Sequence, residues 1–443
     1  MSQPAPNAGY LRRLGALSAA AMVIGGVVGG GIFVNPSIVA QRTSTGVELL
    51  ALWVIGGLLT LAGALCFAEL GARRPQAGGA YVYLREAFGQ LPAFLFGWTM
   101  LLVDFTGSIA AVAMIFGRYA CVTLALPGSL SRPLGMGAIV LLAGINLYGI
   151  RAGAIVQNLF TLLKLLAVAI LVVLGIAWAG NGHLGAAFAI DPTAAIQPRW
   201  AIAGALLPVL FSYSGFGYVN TIAGEVRDPA RNLPRALGLG MLLVLVVYLL
   251  VNLSYMNALG HSGLAASATP AADVLARVFG DDGRRLIALG IAISTFGYIN
   301  IALIASARVF QVMGADGAFF RSIGRIDPRW HVPRRALLIV AGWSVVLGLS
   351  GKYGQLLDYA TVADWLAVAA AVATLFWYRR RHAGDAGTYR TPLYPFTPLL
   401  FIAMVALVVA ILLATQPGHV GIGLGIIAAG IPVYYLWQRR FML

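Results

Sequence analysis

The sequence predicts an all-α polytopic membrane protein of twelve transmembrane helices, and three observations carry that prediction. Sixty per cent of its 443 residues are hydrophobic and only 10% are charged, against about half and a quarter in soluble domains; mean hydropathy is +0.86. Apolar runs of about 20 residues, each enough to cross a hydrocarbon core of roughly 30 Å, recur along the whole chain. Basic residues punctuate the ends of these runs rather than their middles.

The spans fall near 14–41, 47–72, 91–125, 134–150, 154–180, 200–224, 236–260, 284–312, 335–350, 355–378, 393–415 and 419–438. With the N-terminus in the cytoplasm, the connections on that side hold most of the 30 basic residues, among them Arg73, Arg74, Arg227, Arg231, Arg321, Arg325, Arg334, Arg335 and Arg379. That asymmetry predicts both termini cytoplasmic, in a plasma membrane (the inner membrane of a bacterium). The net charge of +15 is then topological. No nucleic-acid-binding pattern accompanies it, so no nucleic-acid partner is expected. The segment 261–283, rich in Asp and Arg, is expected to be a folded external loop with a short helix. Cys66 and Cys121 sit in apolar runs and make neither a metal spacing nor a disulfide framework. The first apolar run has no cleavage pattern after it and reads as the first span.

Span 1 contains VIGGVVGGGIFVNP, residues 23–36. Glycine inside a helix costs about 1 kcal/mol relative to alanine, so a helix built only to span would not collect it at Gly29, Gly30 and Gly31. Five spans later, Ser212, Ser214, Gly215 and Gly217 interrupt LLPVLFSYSGFGYVNTIAGE, 206–225. Interruptions at matching places in two halves point to an inverted-repeat transporter with a midplane site. The repeats would be 1–180 (helices 1–5) and 200–378 (helices 6–10, inverted), with helices 11–12 at 393–438. Irregular backbone at this depth is tolerated only where it lines a cavity. The half-helix starting near Ile32 offers free N–H groups and partial positive charge, suited to a carboxylate. The half-helix closing near Phe211–Tyr213 offers carbonyls, suited to an ammonium. Together they suit the backbone of an α-amino acid. The alternative is that these glycines only let helices pack closely.

GGGIFVNP (29–36) resembles the first-helix signature of the amino acid–polyamine–organocation superfamily. AELGARRPQAGGAYVYLREAFG (68–89) resembles that family's loop after helix 2, and STFGYINIALIASARVF (294–310) its helix 8. FSYSGFGYVNTIAGEVRDPARNLPRAL (211–237) resembles helix 6 and the following loop of the L-type amino acid transporter-like branch, as in bacterial amino acid permeases. The resemblance implies a five-plus-five inverted repeat with helices 1 and 6 broken, and alternating access. It places the substrate carboxylate at the backbone of Gly29, Gly30 and Gly31. It places the amine at carbonyls of Val27, Phe211, Ser212 and Ser214, beside Gly215, with Phe211 gating from outside. Helix 3 would line the site through Leu102, Val103 and Gly107. Relatives often have Ser where Gly30 stands, many have Trp where Phe216 stands and some Asn where Gly217 stands. The pocket is therefore reshaped here.

Lys164 lies about ten residues into span 5, roughly 15 Å deep, where an ionisable residue is a functional candidate. The resemblance sets it between helix 1 and helix 8, near Ser294, where sodium sits in sodium-coupled relatives. Transport is thus expected to be sodium-independent. Lys164 either couples proton movement to conformation or ties two helices together. Asp104 and Asp364 lie near mid-depth and are candidates for coupling or for helix-packing hydrogen bonds, and Asp104 also for binding a cationic side chain. Asn300 is expected to bond between helices. Glu69, Arg73, Arg74, Glu225, Arg227, Asp228 and Arg231, at the inner ends of spans, form either gate salt bridges or screened surface pairs.

A membrane-embedded enzyme would need converging catalytic groups or a metal cluster, and no motif assigns them. A channel would need a polar ring. No nucleotide-binding loop, cofactor motif or metal site occurs. Exchange and proton-coupled uptake both fit. Apolar walls favour neutral amino acids as the small-molecule partner, and Asp104 keeps cationic amino acids or polyamines as the alternative. Relatives that pair with a heavy chain use a cysteine in the outer loop between helices 3 and 4. The loop near 126–133 has none, so no disulfide-linked partner is expected.

Overall fold

The computed structural model describes residues 10–177, 199–350, 353–381, 389–415 and 417–441. The predicted end of span 5 at 178–180 and the first nine residues of the first repeat lie outside them. The chain runs α1 (Ala16–Val27), α2 (Gly31–Ala40), α3 (Gly46–Arg73), α4 (Ala80–Phe88), α5 (Gln90–Thr99), a π-helical turn (Met100–Asp104), α6 (Phe105–Thr123), α7 (Ser131–Asn146) and α8 (Ile150–Ala177). It continues through α9 (Arg199–Ser212), α10 (Tyr218–Thr221), α11 (Pro229–Ala266), α12 (Pro270–Phe279), α13 (Asp281–Ala315), α14 (Arg334–Ser350), α15 (Tyr353–Arg381), α16 (Phe396–Thr415) and α17 (Pro417–Phe441). Among the described residues, eight helical runs are each long and apolar enough to cross a bilayer, and α1 with α2, bent by 44°, makes a ninth. The other three predicted spans correspond to α9 with α10, α14 and α15.

Helix α8 displays the logic of a bilayer-facing element. Ile155, Leu159, Leu162, Leu166 and Val173 line its exposed face, with Leu162 65% exposed. Its buried face carries Gln157, Thr161 and Lys164. Apolar outside and polar inside, at helical spacing, is stable only with lipid around it. The buried polar groups satisfy one another. Asn146 donates to Asn300 Oδ1 at 2.8 Å; Asn300 donates to the Gly153 carbonyl and to Gln157 Oε1, both at 3.0 Å. Thr161 continues the line to the Ala21 carbonyl at 3.0 Å. This spine ties α7, α8, α13 and α1, as expected of Asn300. Small residues bring helices close. A Cβ on Gly117 of α6 would lie 1.8 Å from the Ser131 carbonyl oxygen of α7, and one on Gly135 2.4 Å from that of Ala113, a small-xxx-small contact.

The arginine-rich end of the bundle is closed by backbone and charge together. Segment 10–15 pairs with the turn after α10: Leu14 N–H donates to the Glu225 carbonyl at 3.0 Å and Arg227 N–H to the Leu14 carbonyl at 2.8 Å. Gly78 N–H donates to the Thr221 carbonyl at 2.8 Å. Glu225, fully buried, is bound by Arg308 at 2.8 Å. Glu69, also fully buried, is bound by Arg73 at 2.8 Å and by Arg379 at 2.6 Å, and accepts from the Thr391 N–H at 2.6 Å. These two are therefore not screened surface pairs. Arg74 takes Glu86 instead, at 2.8 Å. Arg227 reaches the Arg12 carbonyl, and among the described residues Asp228 and Arg231 form no ion pair with each other. Two further corrections concern helix ends. The second half of span 6 is only the four residues of α10 and a 3₁₀ turn, Ala223–Glu225. The loop after span 2 contains α4. The 261–283 loop does hold a short helix, α12.

Removing one partner of a buried ion pair costs about 3–5 kcal/mol, whereas replacing both with apolar groups is often neutral. Arg308→Met is accordingly expected to lower the melting temperature of the detergent-purified protein sharply, and Glu225→Leu with Arg308→Met to recover most of it. A single variant that melts like the wild type would remove the pair from the account.

Candidate functional site

The two helix breaks meet in the middle of the bundle. At the first, Val28 leaves helical geometry with ψ of 84° and Gly29 N–H turns back onto the Val27 carbonyl at 2.8 Å. α2 then starts at Gly31, and its first N–H groups have no carbonyl four residues back. At the second break α9 ends at Ser212; Tyr213 N–H closes on the Val209 and Leu210 carbonyls and Ser214 N–H on that of Phe211 at 3.2 Å, which leaves the Ser212 carbonyl to a side-chain donor. Gly215 has φ of +93°, which a side chain would strain. A Cβ on Gly215 would lie 2.5 Å from the Gly26 carbonyl oxygen, and one on Gly31 2.8 Å from Ser212 Oγ. The breaks thus touch backbone to backbone. Around Gly30 nothing lies within 4 Å of where a Cβ would be. Gly30 is the one residue of the three that open space surrounds.

Two prolines sharpen the ends. Pro36 lacks an N–H, so it leaves the Ile32 carbonyl unpaired in α2; the Tyr255 hydroxyl donates to it at 3.3 Å. Pro208 frees the Gly204 carbonyl in the same way, and Arg42 donates to it at 2.9 Å. Asn35 fastens α2 to α9, donating to Ser212 Oγ at 2.8 Å and to the Pro208 carbonyl at 2.9 Å. The Tyr248 hydroxyl lies 3.0 Å from the Val27 carbonyl oxygen and 2.9 Å from that of Ser212. One hydrogen thus serves the C-terminal ends of both broken helices. Tyr248 is fully buried, held edge-on to Trp53 and against Tyr213.

Beside the breaks lies a cavity of about 140 Å³. Val27, Gly29, Gly30, Gly31, Phe211, Ser212, Ser214 and Gly215 line one side; Asp104, Ser108, Tyr218, Tyr298 and Asp364 line it too. Phe67, Phe96, Phe105, Phe216 and Trp365 supply apolar walls. Lys164 lies behind the break rather than in the cavity. Its ammonium donates to the carbonyls of Gly25 at 3.1 Å and Val28 at 2.7 Å, and Ser294 donates to the same Val28 carbonyl at 3.1 Å.

A family model for amino acid permeases matches residues 14–436. The chain belongs to the amino acid permease family. It is 30% identical to the serine/threonine exchanger SteT of Bacillus subtilis, over 98% of each chain. It is equally similar to the Asc-type amino acid transporter 1 of Mus musculus, over 97% of this chain and 82% of that one. The large neutral amino acids transporter small subunit 2 of Homo sapiens is also 30% identical, with 97% and 81% covered. Family and relatives are transporters, so the reading as a membrane-embedded enzyme falls away.

In this permease ten of the residues singled out from sequence line one cavity: Val27, Gly29, Gly30, Gly31, Phe211, Ser212, Ser214, Gly215, Asp104 and Asp364. Leu102, Val103 and Gly107 do not. The reason is the π turn: Phe105 N–H bonds back to the Met100 carbonyl, five residues away. That extra residue advances the cavity face by one position, so Asp104 and Ser108 stand where Val103 and Gly107 were expected. Leu102 is half-buried, and its carbonyl accepts from Trp343 at 3.3 Å. Tyr248 escaped the sequence reading altogether. Its one signal is a hydroxyl amid LLVLVVYLLVN.

Gly30→Ala is expected to leave the permease within about 1 kcal/mol of wild-type stability, because only helix propensity is at stake. Gly215→Ala meets both a clash and a forbidden φ and is expected to cost several times as much. Thermal melts of the two purified variants check this; equal melting temperatures would contradict the backbone contact.

Proposed function

We propose that the permease moves amino acids by alternating access and holds the α-carboxylate and α-ammonium of its substrate at the two helix breaks. The observation that carries this reading is that the start of α2 and the end of α9 open on one cavity. The carboxylate meets the N–H groups of Gly29, Gly30 and Gly31, at a helix start whose dipole favours an anion; the helix leaves those of Gly30 and Gly31 free, and that of Gly29 turns from the Val27 carbonyl. The ammonium meets carbonyls of Val27, Phe211, Ser212 and Ser214. Tyr248 engages two of these; the Ser212 carbonyl keeps a second lone pair, whereas that of Val27 also accepts from Gly29 N–H, so the ammonium competes there with a local bond. Phe211, 41% exposed at the cavity, is the aromatic that closes over the substrate.

The matched breaks support an inverted repeat of residues 1–180 and 200–378 followed by two further helices at 393–438. The arginine asymmetry supports cytoplasmic termini in a plasma membrane. The closed arginine-rich end then excludes an inward-open form. Lys164, bonded with Ser294 around the Val28 carbonyl, supports sodium-independent transport and a coupling role for that cluster. Coupling by exchange is favoured over proton-driven uptake by the relative named as an exchanger. A cavity of about 140 Å³ is near the size of an engineered cavity that holds benzene, about 150 Å³, which favours short side chains. The apolar walls accept neutral ones, and the two carboxylates favour a cationic reading taken up below.

Proteoliposomes loaded with unlabelled amino acids and free of sodium test the proposal. Labelled amino-acid uptake is expected only into loaded vesicles. The methyl ester and the N-acetyl derivative of the transported amino acid are expected not to compete. Competition by either would remove one half of the backbone site; no uptake of any amino acid by folded, inserted protein would overturn the function.

A further inference from the structure

Two carboxylates share the substrate cavity, and among the described residues the chain supplies neither with a cation. Asp104 closes the π turn before α6, and Asp364 sits on α15. The cavity lining includes no Lys, Arg or His. Lys164, the buried ammonium of α8, is committed to backbone carbonyls behind the break. Among the described residues neither Asp104 nor Asp364 takes part in a salt bridge with Arg308, Arg379 or any other basic side chain. Neither is walled off: among the described residues the enclosed polar atoms without a hydrogen-bond partner include those of Trp53, Gln76, Asn220 and Asn252, and none of Asp104 or Asp364. Both carboxylates therefore face the cavity itself. Tyr218 and Tyr298, 3.0 Å apart through their hydroxyls, stand on the same wall.

An ionisable carboxylate at this depth is costly unless something positive accompanies it. The half-site at the helix breaks already balances its own charges, a carboxylate against N–H groups and an ammonium against carbonyls. The two aspartates are left over, and the position they leave for a cation lies in the substrate's space. We propose that the cavity prefers amino acids whose short side chain ends in a second ammonium group, facing Asp104 and Asp364. An ammonium has three donors, enough for both carboxylates and a tyrosine hydroxyl. The cavity volume and its ring of Phe side chains set the length, so 2,4-diaminobutyrate and ornithine fit the description. This inference rests on the amino-acid backbone site proposed above.

The test is calorimetric titration of the purified permease in lipid nanodiscs with matched pairs: 2,4-diaminobutyrate against norvaline, and ornithine against norleucine. Each pair differs by an ammonium in place of a methyl group. A hydrogen-bonded charge contact predicts an advantage of about tenfold or more for the diamino member. Asp104→Asn and Asp364→Asn are nearly isosteric, and each is expected to shrink that ratio towards unity. Norvaline and norleucine binding as tightly as their partners in the wild type would overturn the inference and leave the backbone site intact. Undiminished ratios in both variants would overturn it as well. Failure of all four compounds to bind would instead bring down the backbone site on which the inference rests.

Discussion

Everything at the centre of this permease depends on a contact made without side chains, where Gly26 and Gly215 meet across the two helix breaks. Any Cβ on Gly215 would enter the Gly26 carbonyl oxygen. The approach lets the end of α1 and the end of α9 share the Tyr248 hydroxyl, and lets Gly31 pack on Ser212. Broken helices inside a membrane expose polar backbone that lipid cannot satisfy. Here the Val28 carbonyl takes Lys164 and Ser294, and the Ser212 carbonyl takes Tyr248. Pro36 and Pro208 extend the same principle, since each frees a carbonyl that a side chain from another element then occupies.

The fold was largely legible in the sequence because bilayer thickness sets a strong length signal and arginine marks the run ends. Gly29, Gly30 and Gly31 announced the first break because three consecutive helix-weakening residues in an apolar run are matched by a second interruption five spans later. Lys164 announced itself by depth. The π turn at Met100–Asp104 did not, because MLLVD is ordinary helix-forming sequence and one inserted residue leaves composition unchanged. Its consequence was large: the cavity face of α6 moved by one residue, from Val103 and Gly107 to Asp104 and Ser108. Tyr248 was hidden for a related reason. One hydroxyl in an apolar run reads as packing until the carbonyls it meets are known. The helix α4 was hidden by the glycines and proline around it, which read as loop.

The polar interior divides into two systems with different duties. The spine from Asn146 through Asn300, Gln157 and Thr161 to α1 is fully bonded, and it holds α7, α8 and α13 as a scaffold against which α1 is fixed. Lys164 and Ser294 end that line at the break itself. The buried carboxylates Glu69 and Glu225 belong to the arginine-rich end and are matched by arginines. Among the described residues Asp104 and Asp364, half-buried on the cavity wall, are the exception to that pairing.

The central claim is that free N–H groups at the start of α2 receive the substrate carboxylate. Hydrogen–deuterium exchange of the permease in nanodiscs reads those groups directly, in a peptide spanning residues 26–34. The account predicts slowed exchange there when a transported amino acid is added, and no slowing with its methyl ester. Unchanged exchange in that peptide, under conditions where calorimetry detects the bound amino acid, would contradict it.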